Sequence, residues 1–149
     1  MSVLFDLIDE AFDKKSWHGP NLRGSLRGVT ARQAAWRPSP DRHNIWELTL
    51  HAAYWKYVVR RRLTLQETRE KRGSFVLPGS NFFARPVEPG EAAWKADIDI
   101  LAAEQRKLRD SISKLTAPTP AQLHMIRGSA AHDLYHAGQI RLLRRLCPL

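Results

Sequence analysis

The chain has one cysteine in 149 residues, Cys147. That excludes an internal disulfide and any thiolate-rich metal site, leaving histidine and carboxylate as the available metal ligands. No stretch approaches the roughly 20 consecutive apolar residues that cross a bilayer. Val3-Leu4-Phe5-Asp6-Leu7-Ile8-Asp9-Glu10 is acidic and amphipathic, which is not the basic-then-apolar pattern of a secretory signal. These absences lead to the expectation of a cytoplasmic protein with no membrane partner. Acidic side chains are also scarce: 15 Asp and Glu stand against 24 Lys and Arg, a formal net charge of +9. Such a surplus favours anionic partners. Nothing, however, matches a groove-reading helix, an RNA-binding sheet or a zinc-finger spacing. Many arginines sit a turn away from Asp or Glu, as on a solvated helix face. An anionic small molecule is therefore the expected partner, ahead of nucleic acid.

What the sequence does contain is helical periodicity. Hydrophobic residues make up 43% of the chain, enough for one domain, 1–149, that buries about two thirds of its unfolded surface. Apolar stripes predict helices over Ser2–Lys15 with Ser2 as cap, Arg42–Leu65 with Asp41 at its start, Glu91–Leu115, and Pro120–Leu146. Thr119 caps the last, with Pro120 at its first position. Thr30 can cap a short helix, Ala31–Ala35. Two connections, Asn21–Asp41 and Gln66–Gly90, are long for a bundle. The all-α architecture expected is thus not a simple up-down-up-down bundle. The second connection is long enough to let the helices on either side of it run parallel. Its apolar residues, Phe75, Val76, Leu77, Phe82 and Phe83, must bury somewhere, so it should wrap across the bundle.

The chain's chemistry concentrates in Ala131-His132-Asp133-Leu134-Tyr135-His136-Ala137-Gly138-Gln139-Ile140. On a helix, His132 and His136 lie one above the other on one face, a spacing that lets two imidazoles share one metal ion. A hydrogen-bonded surface pair is the plainer alternative. His51 sits among large apolar residues of another predicted helix, where a neutral imidazole needs partners. Bonding to a nearby carbonyl or carboxylate is the plainer account of it. If the three turn inward together, they form a three-imidazole site with coordination positions left open, as catalytic metal sites have.

Three blocks, in order and spacing, resemble the DinB/YfiT-like superfamily. They are Trp36-Arg37-Pro38-Ser39-Pro40; His43-Asn44-Ile45-Trp46-Glu47-Leu48 leading to His51; and Gly128 followed by Ala131-His132-Asp133 and His136-Ala137-Gly138-Gln139-Ile140. The resemblance implies a four-helix bundle in which His51, His132 and His136 bind a divalent metal. Several members of that family are thiol-dependent S-transferases or isomerases, and relatives are often homodimers.

The expectation is a metal-dependent transferase or hydrolase acting on a small molecule, with a low-molecular-weight thiol or water as nucleophile. Imidazole ligands suit zinc first and nickel second. Glu47, one turn before His51, and Asp133, next to His132, are the candidate catalytic carboxylates. Either can instead orient an imidazole or pair with a cation. Phe82 and Phe83 are candidates for a lid over the metal. Gly138 and Gln139 suit a tight helix crossing. Two other readings stand beside this one: a metal-binding or stress-response protein without turnover, and a basic helical module that docks on nucleic acid.

Overall fold

The computed structural model describes residues 2–64 and 73–148. Leu65, the expected end of the second long helix, and the first part of the Gln66–Gly90 connection lie outside the described residues. Six helices occur among those described: α1 (Ser2–Phe12), α2 (Leu22–Leu26), α3 (Ala31–Ala35), α4 (Ile45–Leu63), α5 (Glu91–Ser113) and α6 (Pro120–Leu146). No strand is present among them, so the fold is all-α. None of these helices is long and apolar enough to cross a membrane.

Local chemistry sets most of the boundaries. At α6, Thr119 accepts from the Gln122 N–H at 3.2 Å, and Gln122 accepts from the Thr119 N–H at 2.8 Å. This reciprocal cap satisfies two backbone donors that the first turn leaves unpaired. Thr30 and Gln33 do the same for α3. The second long helix starts later than Asp41 suggests. Asp41 is engaged by Ser39 at 2.7 Å in the preceding turn. Asn44, with Glu47 three residues on, makes the capping box instead. A short helix absent from the sequence expectation, α2, is capped by Asn21, which accepts from the Gly24 N–H at 2.8 Å. It buries Leu22 and Leu26. Ser2 is the first helical residue of α1, not its cap, and that helix ends at Phe12, short of Lys15.

The four longer helices close on one another in a ring: α4 packs on α5 and α6, and α1 packs on α6 and α5. Trp46 meets Trp94 at 5.1 Å between ring centroids and donates to Asp97 at 2.7 Å. Fourteen residues further along α4, Arg60 meets Glu104 at 3.2 Å. Partner positions advance together on both helices, so α4 and α5 run parallel. The connection between them crosses the bundle, as its apolar content requires: Phe75 and Phe83 are buried with Tyr57 in the larger core cluster. A smaller cluster, with Ile8, Leu108, Ile112 and Ile126, fills the interior between α1, α5 and α6. The two helices that carry the three histidines, α4 and α6, are therefore neighbours.

Candidate metal centre

His51 projects from the middle of α4, and His132 and His136 project from successive turns of α6. Their Nε2 atoms converge. His132 Nε2 lies 3.2 Å from that of His51 and 3.0 Å from that of His136. Each ring offers a ligand atom within 4.8 Å of the others. Zinc with nitrogens at ~2.0–2.1 Å in a tetrahedron sets them about 3.3 Å apart. The cluster is already close to that spacing.

The opposite edges of two rings are tied down. His51 Nδ1 lies 3.0 Å from the Asn81 carbonyl oxygen. A carbonyl only accepts, so this nitrogen carries the proton and Nε2 carries a lone pair. His136 Nδ1 lies 2.7 Å from Gln139 Oε1, which fixes the same tautomer. Two inward lone pairs then face His132, whose single proton can satisfy at most one of them. A cation at the shared point satisfies all three, and outer hydrogen bonds of this kind orient metal-binding imidazoles generally. Electrostatics agree. Burial, with His136 and His51 close by, pushes the His132 imidazole down to about 3. Burial chiefly, outweighing the Gln139 bond, takes His136 down to about 4. Burial also lowers His51. All three rings stay neutral at physiological pH, as metal ligation requires.

Aromatic rings wall the cluster. Phe82 is sandwiched between His43, at 3.7 Å, and His51, at 4.0 Å, nearly parallel to both. Trp55 sits edge-on to His51 at 6.3 Å and donates from its indole to Asn81 Oδ1 at 3.0 Å. Of the two phenylalanines suggested as a lid, Phe82 covers an imidazole and Phe83 belongs to the core.

The carboxylates suggested by sequence have other partners. Glu47 is gripped by both terminal nitrogens of Arg37, by His43 Nδ1 at 3.0 Å and by the Arg85 N–H at 3.3 Å. Burial would raise this carboxyl, but these donors outweigh it and hold it low. Asp133 accepts from Lys56, and both side chains are buried. Burial raises the Asp133 carboxyl, against the pull of Lys56. Neither carboxylate is hydrogen-bonded to one of the three imidazoles. His43 lies at the rim, stacked on Phe82. Gln105, the polar member of the α5 seam, is buried with Oε1 unpartnered among the described residues. It lines a separate cavity beside Asp9 and Arg109. Gly138 does not mark a tight crossing: a Cβ there, as at Gly128, would meet nothing within 4 Å.

Residues 16–140 match the family model of the DinB superfamily. The chain belongs to the DinB superfamily. No curated protein and no solved structure matches it. All three histidines of this DinB-superfamily chain, and the residues that orient them, fall inside the matched span. Asn81, which orients His51, and Lys56, which ties α4 to α6 through Asp133, were hard to read from the sequence. Asn81 lies in a non-periodic loop and acts largely through its backbone. Lys56 gave one signal, a lone cation in the run Ala52-Ala53-Tyr54-Trp55-Lys56-Tyr57-Val58-Val59. Gln139 was visible as an amide one turn from His136.

Proposed function

We propose that this DinB-superfamily protein is a metal-dependent enzyme that transfers a low-molecular-weight thiol to a small electrophile, with zinc or nickel held by His51, His132 and His136. The observation that carries this reading is the convergence of three neutral Nε2 atoms, two of them with the tautomer fixed from behind. A divalent ion held there supplies Lewis acidity, lowering the pKa of a coordinated thiol or water.

The chain's own groups favour thiol over water. General-base hydrolysis uses a proton acceptor near the nucleophile, and neither candidate carboxylate is bonded to the imidazoles: Glu47 holds Arg37, and Asp133 holds Lys56 through Oδ2. A thiolate attacks without such a base. Phe82 shields one face of His51 from water, which strengthens electrostatic interactions there. The basic surplus supports nucleic-acid docking poorly. Arg37, Arg60, Arg85 and Arg109 are paired with Glu47, Glu104, Asp97 and Asp9.

Metal analysis of the purified protein beside His51→Ala tests the site. About one divalent ion per chain, lost in the variant, is the expected result. Conjugation of a model thiol to 1-chloro-2,4-dinitrobenzene, with and without metal, then tests turnover. Metal-dependent conjugation supports the transferase reading. Stoichiometric metal without conjugation, across several thiols and electrophiles, leaves a metal-binding protein without turnover.

A further inference from the structure

A cavity of about 460 Å³ lies beside the histidine cluster, in the angle between α4 and the connection that follows it. Its walls include Tyr54, Trp55 and Phe75, together with Arg61, Arg62 and the exposed Ser80. No acidic side chain lines it among the described residues. Five other arginines have carboxylate partners, but neither Arg61 nor Arg62 forms an ion pair among the described residues. Arg61 Nε is buried and has no hydrogen-bond partner. A guanidinium without an acidic partner is costly where water is scarce, and an anion in the cavity that Arg61 and Arg62 line offsets that charge.

The cavity and the histidine cluster share a wall. Trp55 and Asn81 both line the cavity, and both also touch the cluster, Asn81 through the carbonyl that holds His51 and Trp55 through its edge. His51 and Arg62 are eleven residues apart on α4, three full turns, which places them on the same side of the helix about 16 Å apart along its axis. Apolar and aromatic side chains occupy the interval, as in pockets that bury a ligand's body while a few polar groups fix its end.

We propose that this cavity binds a small organic anion, a carboxylate or phosphate on a flat apolar body, with Arg61 and Arg62 holding the charge. The bound anion is the acidic end of the molecule whose other end meets the histidines. That second statement rests on the metal-enzyme reading; the binding itself does not.

The test is calorimetric titration of phenyl phosphate, benzoate and phenol into the protein as purified and after chelation of its metal. Both anions should bind in each state, weaken with added salt, and bind at least tenfold more tightly than phenol. Arg61→Gln/Arg62→Gln should weaken them at least tenfold and leave phenol unchanged. Ser80→Glu, a change on an exposed loop, should weaken them comparably and covers the case in which the double variant does not fold. Whichever of the two anions binds more tightly decides between phosphate and carboxylate. Equal affinity in wild type and a folded variant overturns the proposal. So does loss of binding by metal-free His51→Ala, which would put the probe at the imidazoles. Absence of metal from the purified protein would instead sink the enzyme reading and leave the anion site standing.

Discussion

Lys56 of α4 donates to Asp133 of α6, and both side chains are almost completely shielded from solvent. The lysine ammonium also lies 5.0 Å from the centre of the Phe12 ring. This ion pair joins the two helices that carry the imidazoles, one position after His132 and five after His51. Desolvating two charges is expensive, and their attraction inside the protein recovers the cost only when the geometry is good. The pair is therefore a constraint on how α4 and α6 meet more than a source of net stability.

Lys56→Met should destabilise the protein by about 3–5 kcal/mol, because it leaves a buried carboxylate without its cation. Adding Asp133→Leu to that variant should restore most of the loss, since a well-packed apolar pair in place of a buried ion pair is often neutral or better. Urea unfolding of the wild type, the single variant and the double variant measures both steps. If the double variant is as unstable as the single one, the pair is contributing more than its charges cost.

The parts of this fold legible in sequence are those whose cause is local. Thr119-Pro120 with Gln122, and Thr30 with Gln33, carry a whole capping box within four residues. The start of α4 misled because two caps compete there, and the winner is the one with Glu47 three residues on. Histidine spacing on α6 indicated a shared face. That His51 joins it depends on packing between residues 81 apart in the chain. Spacing along one helix cannot reveal that, and the family resemblance did. Asn81 was illegible for a different reason, since any residue's carbonyl can accept from an imidazole, and only the loop's path decides which one does.

Asn81 has φ of +64°, in the left-handed region that asparagine tolerates and β-branched residues avoid. That turn aims its carbonyl at His51 and its side chain at Trp55. Asn81→Gly keeps the backbone accessible and removes only the Trp55 bond, worth about 1 kcal/mol. Metal affinity should stay close to wild type. Asn81→Val forces the loop out of this conformation and takes the carbonyl with it, so affinity should fall about 10–100-fold, the usual effect of losing an outer-shell partner. Competition with a chromophoric zinc chelator reads both. Equal affinities in the two variants would mean that the carbonyl does not hold the ring.

Phe82 covers one face of His51 and is itself only partly buried. Replacing it with alanine uncovers that face while leaving the three Nε2 atoms, and the bonds behind His51 and His136, in place. Zinc should then transfer to an excess of chelator several times faster, with a smaller change in equilibrium affinity. Stopped-flow transfer measured beside the equilibrium titration separates the two. An unchanged transfer rate would show that the ion leaves by another route.

The depressed histidines make stability depend on pH in a window distinct from that of the carboxylates. His132 and His136 titrate near 3 and 4 in the folded protein, against 6.5 for an ordinary imidazole. Between about pH 6.5 and 4 the unfolded chain therefore binds protons that the native state refuses, and stability rises with pH wherever the unfolded state binds more protons. The metal-free protein should melt at steadily lower temperature as pH falls from 6.5 toward 4. Asp9 and Glu47, both lowered by their cationic partners, add their loss below about pH 4.5, near ordinary carboxylate values. Removing one depressed imidazole by His132→Gln should flatten the upper part of the slope and leave the lower part intact. Calorimetric melting temperatures across this range, with chelator present, decide the matter. An undiminished upper slope in the variant would mean that the imidazoles are not shielded as their burial implies.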